Sequence, residues 1–107
     1  MTEYVDVAAA LAADGPRIRW SVENQLQSNL VRLEPDAVVE EHTERELDVL
    51  LVVVDGEGTL HADGTEHRVA APAVVVLPAG TRRAVVAGPA GLAYVTAHRR
   101  RTGMTIG

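Results

Sequence analysis

The sequence has no cysteine, no phenylalanine and no lysine. Without thiols the chain can form no disulfide, no thiolate nucleophile and no zinc–thiolate site. Aromatic residues make up only 3% of the chain, namely Tyr4, Trp20 and Tyr94. A core must therefore be built from Val, Leu and Ala, and β-branched Val favours strands because branching at Cβ restricts χ1.

Long apolar runs are also missing, since no stretch approaches the ~20 residues of a membrane-spanning helix. Residues 1–13 lack the basic start of a secretory signal, so we expect a cytoplasmic protein. The net charge is −5, and the late arginine cluster has no interleaved aromatic residues for stacking on bases. The composition therefore predicts neither a nucleic-acid partner nor a membrane partner.

The 107 residues fit one domain spanning 1–107. Residues 1–16 read as an N-terminal extension, with a short Ala-rich helix over 5–13 that Gly15 and Pro16 end. The remainder predicts roughly eight short strands with turn residues between them. The predicted strands are 17–23, 29–33, 49–54, 59–62, 66–69, 74–77, 83–86 and 92–97. Asp63-Gly64 is a strong type I′ hairpin signal, and a jelly-roll barrel closes such a set of strands.

Two segments resemble the paired motifs of the cupin family. The first family motif is Gly, five residues, His-x-His, three or four residues, Glu, six residues, Gly. In this sequence its positions are taken in order by Asp36, His42, Glu44, Val49 and Gly56. With the shorter spacing Asp48 takes the Glu position, but the final Gly then falls out of register.

The second family motif is Gly, five residues, Pro-x-Gly, two residues, His, three residues, Asn. Here Pro72 replaces the first Gly, Pro78-Ala79-Gly80 matches, Arg83 stands at the His and Ala87 at the Asn. The resemblance implies an all-β fold, a cupin-type double-stranded β-helix or jelly-roll barrel. It also implies that the metal ligands of the family are largely replaced.

A displaced metal site can be drawn from the same segment. His42, Glu46 and Asp48 are separated by even numbers of residues and would share one face of an unbroken strand, and Glu44 adds an oxygen donor. Such a set could hold one divalent transition metal, and His98 at the end of the last strand could join it. The alternative is that residues 44–46 form a polar loop and that Asp48 is satisfied by the backbone or by an arginine.

Arg83 is the second candidate. Facing inward, it would offer a fixed fork of donors to a carboxylate or a phosphate. Alternatively it is solvated outside, or paired internally with Asp48 or Glu44. Arg82 precedes it, so on a strand only one of the two can face in. The predicted ligand-binding residues are His42, Glu44, Asp48, Arg83 and His98.

Three functions remain open. The first is a cupin-like module that binds a small polar or anionic molecule without a cofactor. The second is a metal-dependent cupin enzyme of oxygenase, isomerase or lyase type, and the third is a structural domain without a ligand. We also expect a homodimer, because the resemblance implies strand pairing through residues 17–23 and an exposed edge strand needs cover.

Overall fold

A computed structural model describes residues 2–100. Over this part of the chain there are one helix and seven strands. They are α1 (Val7–Ala12), β1 (Ile18–Glu23), β2 (Leu26–Leu33), β3 (Val38–Thr43), β4 (Val49–Ala62), β5 (Thr65–Ala70), β6 (Ala73–Leu77) and β7 (Arg82–Arg99). Within residues 2–100 there is no helix whose length and apolarity would let it cross a membrane.

Helix α1 confirms the predicted N-terminal helix in a shorter form. It begins after Asp6, whose Oδ1 accepts the Ala9 backbone N–H at 3.1 Å. This cap satisfies one of the free N–H groups of the first turn. At the other end the Arg19 guanidinium donates to the Ala13 carbonyl oxygen, so the helix is tied to β1.

The hairpin between β4 and β5 is confirmed at Asp63-Gly64. Both residues have positive φ, 49° and 83°, which is what a type I′ turn requires. The pairing runs from Ala62 opposite Thr65 to Glu57 opposite Ala70.

The predicted strands 49–54 and 59–62 are one strand, because β4 continues through Asp55 and Gly56. The register with β7 shifts between Val53 and Asp55 and again between Gly56 and Gly58, so the strand bends by bulges instead of ending. Gly56 has φ 74°, and a Cβ there would overlap the backbone of Gly91 on β7. Glycine therefore lets two bent strands cross closely.

The bends divide seven antiparallel strands into two layers. In one layer β1, β2, the C-terminal half of β7, the N-terminal half of β4 and β6 lie side by side. In the other layer β3, the N-terminal half of β7, the C-terminal half of β4 and β5 lie side by side. Strand β3 was not among the predicted strands, because its Glu40-Glu41-His42 stretch lacks an apolar alternation.

The core lies between the inner faces of the two layers. Val53 and Leu33 from the first layer are fully buried, and Leu60 and Val85 from the second are nearly so. They form one cluster with the remaining inward Val, Leu and Ala residues and Tyr94. The prediction of a core built from Val, Leu and Ala is therefore confirmed, and Tyr94 is the single aromatic residue in this cluster.

Candidate functional site

His42 and Arg83 lie opposite each other on neighbouring strands of the second layer. On β3, Val39 pairs with Val85 and His42 with Arg83, with a register shift between the two pairs. Three residues of β3 thus span two of β7, and this bulge puts His42 on the same face as Val39. Val85 is buried in the core, so this face is the inner one. His42 itself is exposed, with Nδ1 3.1 Å from the Glu40 carbonyl oxygen.

Arg83 is a buried cation, with only 6% of its surface exposed. Its Nε donates to the Thr81 carbonyl oxygen at 3.2 Å. Within residues 2–100 its Nη2 is buried and has no hydrogen-bond partner. Burial lowers the pKa of the Arg83 guanidinium, and the negative charges of Glu44 and Asp63 partly offset this effect.

Arg82 points to the opposite face, as the alternation of a strand requires. It is exposed, and its Nε lies 3.4 Å from Glu41 Oε2. The prediction that only one of the two arginines faces inward is therefore confirmed, and the inward residue is Arg83.

Residues 44–48 form the loop between β3 and β4, and this overturns the premise of the displaced metal set. Because the chain leaves the strand at Thr43, even spacing no longer places His42, Glu46 and Asp48 on one face. Glu44 Oε2 accepts the Glu46 backbone N–H at 3.0 Å, and Asp48 Oδ1 accepts the Ala79 backbone N–H at 2.8 Å. The polar-loop alternative, with Asp48 satisfied by the backbone, is thus confirmed.

Glu44 stays near Arg83 through its backbone as well as its charge. Its carbonyl oxygen accepts the Gly80 N–H at 2.7 Å, which ties the β3–β4 loop to the turn just before β7. The structure thus brings Glu44 into the region of His42 and Arg83, whereas Glu46 is exposed on the loop.

His98 lies in the first layer, near the end of β7. It pairs with Gln27, and its Nδ1 lies 2.8 Å from the Arg99 carbonyl oxygen. His98 lies on the inner face, because Tyr94, four residues earlier on the same strand, belongs to the core. The predicted ligand residues therefore come from both layers.

The residues at the family's four metal positions do not fit a metal ion. Val49 has no donor atom and is buried in the core, and Arg83 brings a positive charge. Among residues 2–100 no three His, Asp or Glu side chains are grouped so that they could hold a metal ion.

Several inward polar residues were missed by the sequence reasoning. Asn29 pairs with Thr96 on the inner face of the first layer, and both are half-buried. His67 pairs with Leu60, while His61 pairs with Glu66. The two histidines therefore lie on opposite faces of the hairpin, and His67 shares the inner face with Leu60. Gln27 and Asn29 alternate in step with the buried Val31, and this spacing could have indicated that Asn29 faces inward.

A cleft of about 620 Å³ opens between β5 and β6. Its walls combine inward apolar residues of three strands with polar residues. The apolar ones are Leu60, Ala62, Val69, Ala73, Val75 and Leu77, and the polar ones are Asp63, His67, Arg68 and Thr81. Arg83 is not among the lining residues, but Ala62, its cross-strand neighbour, and Thr81, its hydrogen-bond acceptor, both line the cleft. One end of the cleft therefore adjoins Arg83.

Comparison with known proteins finds similarity to solved structures only. No protein-family model and no curated protein matches the sequence. Among solved structures, the Cnp3 cupin domain of Schizosaccharomyces pombe is similar with a TM-score of 0.71, 14% identity and coverage of 78% of this chain and 64% of that chain. KdgF from Halomonas sp. is similar with a TM-score of 0.67, 25% identity and coverage of 78% and 77%.

The chain has the cupin fold. A cupin-superfamily sugar phosphate isomerase from Silicibacter pomeroyi is also similar, with a TM-score of 0.64, 28% identity and coverage of 73% of this chain. This cupin chain spans about half of that protein, 52% of its length. The resemblance read from the two motifs is therefore confirmed at the level of the fold.

Proposed function

We propose that this cupin barrel is a binding module for a small anionic molecule, and that Arg83 is its main contact. The observation that carries the proposal is the buried Nη2 of Arg83, which has no hydrogen-bond partner within residues 2–100. Leaving a buried donor unsatisfied costs about 1–3 kcal/mol, and more for a charged group. An acceptor that the chain does not supply, such as a carboxylate or phosphate oxygen, would remove this cost.

Further polar side chains lie on the inner faces of both layers. His42 lies on the same inner face and remains exposed, which leaves an approach from the end of β3. On the inner face of the other layer, half-buried Asn29 and Thr96 offer an amide and a hydroxyl. Nη2 itself is covered by protein atoms, so anion binding at this atom requires the atoms around it to move apart.

Sugar phosphates are the first class to test. Two of the similar solved structures, from Silicibacter pomeroyi and Acidithiobacillus ferrooxidans, are described as a sugar phosphate isomerase and a putative one. Those names give a choice of probe and do not assign a reaction to this chain.

The experiment is calorimetric titration at constant ionic strength with inorganic phosphate, glucose 6-phosphate and uncharged glucose. We expect both anions to bind and glucose to bind much more weakly. Arg83→Leu should abolish anion binding, and Arg83→Lys should weaken it because lysine keeps the charge but loses the planar fork. Arg82→Leu is the matched control, since Arg82 faces outward. Unchanged binding by Arg83→Leu would exclude the proposal.

We further propose a homodimer through the outer face of the first layer. Two rows of outward residues cross its five strands and contain no charged side chain, and we name them the apolar rows. They are Val76, Leu50, Ala97, Ser28 and Val22, and Val74, Val52, Val95, Leu30 and Trp20.

The outer part of the apolar rows is open to solvent. Val74 is 66% exposed, Val76 61% and Leu50 40%. A contiguous exposed apolar patch is typical of an interaction site. A second copy is the partner that fits, because the exposed part of these rows carries no charge and can pack against its own copy under two-fold symmetry. This places the proposed contact on β4 and β6, at the edge of the layer away from residues 17–23.

A further inference from the structure

We infer that the anion is amphiphilic, with an apolar body that occupies the cleft between β5 and β6 while its charged group lies at Arg83. The inference rests on the proposed function and adds the chemical class of the ligand. It favours a carboxylate with a hydrocarbon or aromatic body over a sugar phosphate.

The cleft reaches the immediate neighbours of Arg83. Arg83 has Ala62 directly across the strand pair and donates to the Thr81 carbonyl oxygen at 3.2 Å. Both residues line the cleft, and so does Asp63, whose charge acts on Arg83. Asp63 Oδ1 also accepts the Arg82 backbone N–H at 2.9 Å, so its carboxylate is held to the β7 backbone. A molecule that fills the cleft from β6 therefore ends beside the guanidinium.

The cleft has apolar side chains on both of its sides. Inward residues of β6 (Ala73, Val75, Leu77) face inward residues of β4 and β5 (Leu60 and Val69). These side chains offer no hydrogen-bond partner, so a sugar hydroxyl placed among them would lose its hydrogen bonds to water without replacement. A methylene or phenyl group placed there gains instead by leaving water.

The cleft is large enough for a small molecule and is open at the edges of β5 and β6. A cleft of about 620 Å³ lies within the ~300–1,000 Å³ range of small-molecule sites. Neither β5 nor β6 has a second neighbouring strand within residues 2–100, so the space between their edges is not closed by backbone pairing. His67 and Arg68 line this opening from β5 and are exposed, which gives the mouth polar groups.

The test is a titration with straight-chain monocarboxylates of increasing length, from acetate through butanoate and hexanoate to octanoate, at constant ionic strength. We expect binding to tighten roughly three- to fourfold for each added methylene until the cleft is full. Hexanamide, which has no charge, should bind far more weakly than hexanoate. Arg83→Leu should weaken binding of the whole series.

The matched variants are Ala73→Leu, which narrows the cleft, and Ala90→Leu, which adds the same volume at an exposed position. Ala73→Leu should abolish the dependence on chain length while acetate binding persists, and Ala90→Leu should change neither. If Ala73→Leu does not fold, methyl chemical shifts of the unmodified protein replace it. Octanoate should then shift Val69 and Val75, whereas inorganic phosphate should not.

The outcomes separate the two proposals. If neither phosphate nor any carboxylate binds, the proposed function fails. If phosphate and glucose 6-phosphate bind through Arg83 but affinity does not rise with chain length, only the amphiphilic class is excluded. A dependence on chain length that survives Arg83→Leu, or octanoate shifts confined to Leu50 and Val52 of the apolar rows, would also overturn the inference.

Discussion

His42 stands directly opposite Arg83 across β3 and β7, on the inner face of the barrel. Facing side chains on neighbouring antiparallel strands have Cβ atoms ~4.5–5.5 Å apart. A single change at Arg83 can therefore convert this pair into two facing imidazoles, with Glu44 nearby.

We predict that Arg83→His binds Zn²⁺ or Ni²⁺ and that the unmodified protein does not. Two imidazoles and a carboxylate are a sufficient donor set for these ions, and the substitution removes the repelling cation. The measurement is metal content by mass spectrometry after incubation and desalting. Arg82→His is the control, because residue 82 faces outward opposite Thr43. Near-stoichiometric metal in the unmodified protein that disappears in His42→Ala would instead favour the enzyme hypothesis.

Replacing Arg83 by leucine should stabilise the protein while removing its anion site. The change replaces a buried cation with one unsatisfied donor by an apolar side chain, and such replacements are often stabilising. We expect the free energy of unfolding to rise by about 1 kcal/mol, measured by urea denaturation without added anions. Arg82→Leu should change it by less than about 0.5 kcal/mol, because Arg82 and Glu41 form an exposed pair. A clear loss of stability in Arg83→Leu would show that Arg83 is a structural residue.

Val76→Glu should convert the proposed dimer into a monomer. A carboxylate on the apolar rows would be desolvated in the contact and would face its symmetry mate, and both effects oppose association. Light scattering coupled to size-exclusion chromatography gives the mass directly. Val38→Glu is the matched control, since Val38 is 46% exposed on β3 and lies outside the apolar rows. A strict monomer before any substitution would contradict the proposed assembly.

Tyr94 should make the protein sensitive to alkaline pH. Burial raises the pKa of the Tyr94 phenol, and the charge of Arg17 offsets part of this rise. A raised folded-state pKa contributes stability that is fully present below the unfolded value of 10.0. That stability is lost as the pH rises through the folded value.

Urea denaturation between about pH 8 and pH 11 measures this loss. Tyr94→Phe should show a smaller decline, because the side chain no longer ionises in the unfolded chain. Tyr4→Phe is the control, as Tyr4 is 83% exposed. Identical declines in the two variants would exclude this origin of the pH dependence.

The amino-acid sequence by itself determined the secondary structure type, the core material and the main turn. Val-rich segments favour strands because their branched side chains pack well on a pleated surface, and Asp63-Gly64 accepts the two positive φ values that a tight hairpin needs. The spacing of the two motifs also selected His42 and Arg83 as candidates, and these two residues are paired across β3 and β7.

Only the tertiary structure decided which side chains meet. The parity of a strand changes at every bulge, and the bulge between Val39 and His42 turns His42 inward. Local spacing cannot show that the chain leaves β3 before Asp48, or that His67 faces inward opposite Leu60. It also cannot show that Nη2 of Arg83 is buried without an acceptor, because burial is a property of the two packed layers and not of any one segment.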